Sequence, residues 1–185
     1  MITKHSLAGV TLLFMTLVPS LQAADTTGVR AVLDPIAQRK APPAFRLADA
    51  AGRSISLSRF RGRVVLLNFW ATECGGCKVE IPWFIEFGHT YKSSGFDVVG
   101  VSMEIPYENL KDAAEAWSRV TPFVRAHQLN YPIVMGDDAV TKAFRITALP
   151  MTYLLDRHGR VAAQYLGLVD KDDIDRNIHA LLNER

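Results

Sequence analysis

The chain has 185 residues, a formal charge of +2 and a hydrophobic fraction of 49%. That balance suits one globular domain with a sizeable core. With no long Lys/Arg run, it argues against nucleic acid as a partner. The chain contains only two cysteines, side by side as Cys74-Gly75-Gly76-Cys77.

At the N-terminus, Lys4 and His5 form a short positive region and residues 7–18 are apolar. Pro19-Ser20 breaks the run before Leu21-Gln22-Ala23-Ala24. This pattern reads as an export signal over 1–23, cleaved after Ala23 or Ala24. The apolar run is shorter than the roughly 18 to 20 residues that span a bilayer, so a retained membrane anchor is the minor alternative. No cysteine follows the run, which argues against a lipoprotein. The mature protein is expected to be an exported domain in a bacterial periplasm. Residues 24–41 read as a polar N-terminal linker with a short helix over 29–38, and 42–185 as the folded domain.

Residues 45–47 and 54–57 alternate like a strand pair joined through Asp49-Ala50-Ala51-Gly52. After Gly62, residues 64–71 form a near-continuous apolar run, as expected of a central strand covered on both faces. From Cys74 to Tyr91 the pattern is helical, with Pro82 one turn beyond the cysteines and a kink expected there. Residues 96–101 read as a second buried strand, which makes a parallel βαβ unit. Residues 107–129 are mostly helical. Thr121-Pro122 looks like an N-cap and first helical residue, so two helices or a broken one are expected. A short strand over 133–135 and a helix over 138–144 follow. Strands over 151–155 and 161–166 turn around Asp156-Arg157-His158-Gly159, and an amphipathic helix over 172–182 closes the chain.

The two cysteines stand where a strand gives way to a helix. The unpaired N–H groups and dipole of a helix start favour a thiolate on Cys74. A structural disulfide across two glycines would constrain almost nothing in the unfolded chain. A zinc site is a weak reading, because no second CxxC or HxxxH completes four ligands, and His89, His127, His158 and His179 are scattered without ligand spacing. Redox chemistry is the reading that remains favoured.

Four further segments carry a resemblance: Ala41-Pro42-Pro43-Ala44-Phe45, Asn68-Phe69-Trp70-Ala71-Thr72, Leu149-Pro150-Met151-Thr152-Tyr153-Leu154-Leu155-Asp156, and Gly159-Arg160-Val161. With the cysteines, they make the chain similar to the TlpA/ResA/CcmG-like group of exported thioredoxin-fold disulfide reductases, over roughly residues 41–182. The resemblance implies an α/β thioredoxin-like fold: a central mixed sheet flanked by helices, with a helical insertion after the first βαβ unit. It also implies a thiol–disulfide oxidoreductase without cofactor or metal. Cys74 would be the attacking thiolate and Cys77 the resolving thiol. Pro150 would be a cis-proline against the disulfide that helps hold a substrate strand. Glu80 would be an acid that influences proton movement, and Trp70 the aromatic on the strand leading to the site. Read from the residues alone, Pro150 fits an ordinary trans proline, Glu80 a solvated helix position and Trp70 a core aromatic.

The implied partners are disulfide-containing periplasmic proteins, for example in cytochrome c maturation or metal-centre assembly. A membrane thiol transporter of the DsbD/CcdA kind would supply electrons. Departures from the family pattern are Glu73 in place of an aromatic before the first cysteine, Gly76 where many relatives have proline, and a longer insertion over 107–120, a candidate docking surface. Glu73 should raise the Cys74 pKa by like charge. The rival readings are a thiol oxidase or isomerase, a Cu(I)-binding metallochaperone, a peroxidase, and a purely structural module. The peroxidase is disfavoured because proline is missing from 68–72.

Overall fold

The computed structural model describes residues 28–184. The leader expected over 1–23, with its cleavage site, lies outside the described residues. Among the described residues, no helix is long and apolar enough to cross a membrane.

The core element is β3 (Val64–Trp70), every residue of which is buried. It pairs in parallel with β4 (Phe96–Ser102), which pairs in parallel with β5 (Ile133–Met135). On its other side it pairs antiparallel with β6 (Met151–Leu155), which pairs antiparallel with β7 (Val161–Leu166). The order β5-β4-β3-β6-β7 makes a mixed sheet. A separate hairpin joins β1 (Leu47–Ala48) to β2 (Ser54–Ile55). Asp49 fixes its turn by accepting from the N–H groups of Ala51 and Arg53.

Alternation along β3 divides the core, because successive side chains of a strand face opposite ways. Val64, Leu66 and Trp70 face one cluster with Ile81, Phe84 and Ile174. Val65, Leu67 and Phe69 face another with Phe45, Phe144 and Tyr153. The helices of the first cluster are α1 (Gly75–Thr90), α3 (Ala113–Ala126) and α5 (Lys171–Asn183). The shorter α4 (Asp138–Phe144) contributes Val140 and Phe144 to the second. Asp112, Asp137 and Asp170 cap α3, α4 and α5 by accepting from an N–H in the first turn.

The mixed sheet with flanking helices is the architecture expected from the sequence, and three details differ. The helical insertion does not break at Thr121-Pro122. It divides into α2 (Glu104–Glu108) and α3, and α3 runs on through Pro122. The division falls at Asn109, which has φ 52, the left-handed region that asparagine tolerates better than most residues. α1 likewise continues through Pro82 to Thr90. Residues 29–38 hold only a 3-10 turn at Ile36–Gln38, not a longer helix. The stretch just before the domain lies against it: the N–H groups of Val29 and Asp34 donate to Leu168 and Ala162, and that of Val161 donates to Lys40.

Candidate functional site

β3 ends at Trp70, and after Ala71-Thr72-Glu73 the chain enters α1 with Cys74 as its N-cap. Cys74 and Cys77 are joined by a disulfide, with their Cα atoms 5.3 Å apart. Cys74 is half-buried, and its Sγ accepts from the N–H of Cys77 at 3.2 Å. Cys77 is buried. Of the two sulfurs, Cys74 thus has the more open approach and the helix-start hydrogen bond that favours its thiolate.

The Leu149–Pro150 peptide is cis. Pro150 lies against the cysteine turn: a Cβ built on Gly76 would stand 3.2 Å from its Cδ. The absence of a side chain at 76 therefore permits the close approach of the turn to the proline ring. The carbonyl of Pro150 accepts from the N–H of Gly167.

Glu80 is fully buried rather than on a solvated helix face. Three residues after Cys77, it lies on the same side of α1. Its Oε1 accepts from the N–H of Val169 at 2.7 Å, and its Oε2 stands 3.5 Å from Nδ2 of Asn68. Asn68 also donates to Thr152 at 3.0 Å, its partner in the β3–β6 register. Burial pushes the Glu80 carboxyl up to about 8, against the lowering effect of the Val169 and Asn68 hydrogen bonds. Burial, and then the charge of Glu80, pushes up the hydroxyl of the neighbouring Tyr131 as well.

Glu73 is exposed and pairs with Lys78 at 3.6 Å, so part of the negative charge it brings near Cys74 is offset. Trp70 is fully buried, its ring centroid 5.2 Å from that of Phe123. It packs in the core, under the loop that carries the cysteines.

Two features were not singled out from the sequence. Glu104, at the start of α2, is buried and accepts from the N–H of Thr72 just ahead of the cysteines. Residues of α2 also border Cys74: Tyr107 and Glu108, together with Leu149 ahead of Pro150, line one cavity with it. Of these, the sequence offered the length of the insertion over 107–120 and its candidacy as a docking surface, but neither its place beside Cys74 nor the role of Glu104. Among the described residues, no three His, Cys, Asp or Glu side chains gather as a metal site.

The chain is similar to known proteins over this whole region. A sequence model of the AhpC/TSA family matches residues 37–164. Thiol-disulfide oxidoreductase ResA of Geobacillus kaustophilus (strain HTA426) is 33% identical over 140 residues, covering 75% of each chain. ResA of Bacillus subtilis (strain 168) is 32% identical over 133 residues, covering 71% of this chain and 69% of the relative. A thiol:disulfide interchange protein of the thioredoxin family from Chlorobium tepidum TLS superposes with a TM-score of 0.66 at 25% identity. That match covers 79% of this chain and 98% of the other. The chain belongs to the AhpC/TSA family and, within its thioredoxin-like members, stands with the ResA-type thiol-disulfide oxidoreductases.

Proposed function

We propose that this protein is an exported reductase of protein disulfides in the periplasm, with Cys74 as the attacking and Cys77 as the resolving sulfur. The observation that carries this reading is the contrast within one disulfide: Cys74 half-exposed at a helix start, Cys77 buried on the side of Glu80. In the reduced protein, the Cys74 thiolate attacks one sulfur of a substrate disulfide. A Cys74–substrate bond forms and the other substrate sulfur leaves as a thiolate. Cys77 then gives up its proton and attacks Cys74, closing the Cys74–Cys77 bond and releasing the second substrate thiol. Two electrons pass to the substrate, and the protein ends in the oxidised form.

Glu80 serves this sequence as a proton acceptor and donor near Cys77. A carboxyl held at about 8 exchanges protons near neutral pH, where one at its ordinary value would stay ionised. Pro150, beside the cysteine turn, holds the extended substrate segment next to the sulfurs. Restoring the dithiol requires a thiol donor, for which a membrane thiol transporter of the DsbD/CcdA kind is the proposed source. Cytochrome c maturation and metal-centre assembly are the processes whose oxidised cysteines such a reductase serves. Export rests on the leader pattern over 1–23.

The test is Cys77→Ser expressed in the native host, with proteins trapped as mixed disulfides on Cys74 and then identified. Exported substrates with paired cysteines are expected. Recovery of none, together with a reduction potential near that of strong oxidants and no reduction of insulin disulfides, would replace this reading with an oxidase or isomerase.

A further inference from the structure

A cavity of about 270 Å³ opens beside Cys74, bordered by Tyr107 and Glu108 of α2, Leu149 ahead of Pro150, and Glu73. Tyr107 is 38% exposed and is the only aromatic among the exposed large hydrophobics of the described residues. The charged side chains that line the cavity are both carboxylates, Glu73 and Glu108. Among the described residues, the one cation paired with either is Lys78, which approaches Glu73 from outside the lining.

α2 is tied to the end of β3 and to the loop ahead of the cysteines. The N–H of Met103 donates to the carbonyl of Trp70 at 2.8 Å, and buried Glu104 accepts from the N–H of Thr72. Asn109 then turns the chain away in the left-handed conformation, and the N–H of Leu110 donates back to Ile105. Tyr107 is thereby fixed to the same loop that delivers Cys74.

We propose that this cavity is a subsite for a lysine or arginine next to the disulfide of a polypeptide substrate, an inference that rests on the reductase reading above. The apolar stem of such a side chain packs against Tyr107 and Leu149. Its cationic head reaches Glu73 and Glu108 and lies by the tyrosine ring, whose face attracts cations. A glutamate in the same place would meet two like charges. Selection therefore acts on the residue beside the reacting cysteine, through side chains that take no part in electron transfer.

The test compares two synthetic peptides with the same intramolecular disulfide, one with arginine and one with glutamate beside a cysteine. Rate constants are measured for the reduced protein at low ionic strength. Each is divided by the rate constant for dithiothreitol on the same peptide, which removes the peptides' own difference in reactivity. The corrected ratio should favour the arginine peptide by about tenfold. Glu108→Lys should bring it to about one or below, and Tyr107→Ala should reduce it severalfold. A corrected ratio near one in the wild type, or one unchanged in both variants, would overturn the subsite. A reduced protein inert toward both peptides and toward hydroxyethyl disulfide would instead overturn the reductase reading on which it rests.

Discussion

Across 89 positions of the chain, Oε1 of Glu80 accepts the main-chain N–H of Val169 at 2.7 Å. This bond ties the helix that begins at the cysteines to the segment between β7 and α5. It also keeps a carboxyl inside the protein whose folded value is about 8 against an ordinary 4.5.

The pH dependence follows from that difference. Between about 4.5 and 8 the native protein binds more protons than the unfolded chain, so stability falls as pH rises through this window. The wild type should lose on the order of a few kcal/mol from Glu80 between about pH 5 and pH 9, at roughly 1.4 kcal/mol per pKa unit. Glu80→Gln should lack this component. Urea midpoints of the two oxidised proteins across that range check it, and parallel slopes would sink the prediction.

Gly100 lies on β4 beside Trp70. A Cβ there would stand 2.6 Å from Cδ1 of Ile133 and 2.9 Å from Nε1 of Trp70. Ile133 can turn its terminal methyl toward the cavity it lines, but the indole of Trp70 is fully buried against Phe123 and has no such room. Gly100→Ala should cost about 1–3 kcal/mol by overpacking, measured by denaturant unfolding with the disulfide intact. Wild-type stability in this variant would contradict the packing described.

Arg39 joins the stretch before the domain to the β6–β7 turn and to the end of α5. Its side chain is 3% exposed, and it donates to Glu184 through two nitrogens at 2.6 and 2.7 Å and approaches Asp156 at 3.4 Å. Asp156 keeps other donors, Arg160 and the N–H of His158. Arg39→Met should therefore cost about 1–3 kcal/mol, below the 3–5 kcal/mol typical when a buried charge loses its only partner. Faster proteolysis of residues 28–40 should accompany the loss. Unchanged unfolding and cleavage would show the pairing to be incidental.

Glu104 has a structural consequence and a functional one. Glu104→Ala leaves the N–H of Thr72 without its acceptor, at a cost of about 1–3 kcal/mol, and frees the start of α2. The corrected preference for the arginine peptide should shrink with it. Glu104→Gln keeps an acceptor oxygen and should restore both quantities. Loss of stability with an unchanged preference would separate α2 from substrate choice.

The parts of the fold legible in the sequence were those written locally. Residues 64–71 are apolar at successive positions because β3 is covered on both faces, and the cysteine spacing marks the start of α1. Pro122 misled because a local capping signal competes with packing. The proline is exposed, so its ring projects to solvent, where a helix can absorb the missing hydrogen bond. The true division was written at Asn109, and at Asp112 with Glu115, a capping pair whose members accept from each other's vicinity. The bonds of Glu80 to Val169 and of Glu104 to Thr72 join residues far apart in the chain, and no periodicity announces them.

The anchoring of α2 has a consequence for how such a protein diversifies. Because Met103 and Glu104 fasten the segment to the backbone of β3 and its following loop, the outward side chains at 107 and 108 can be exchanged without disturbing the sulfurs. The choice of client and the chemistry performed on it are thus separable traits. A duplicated copy could acquire a new clientele through a handful of substitutions in one short stretch.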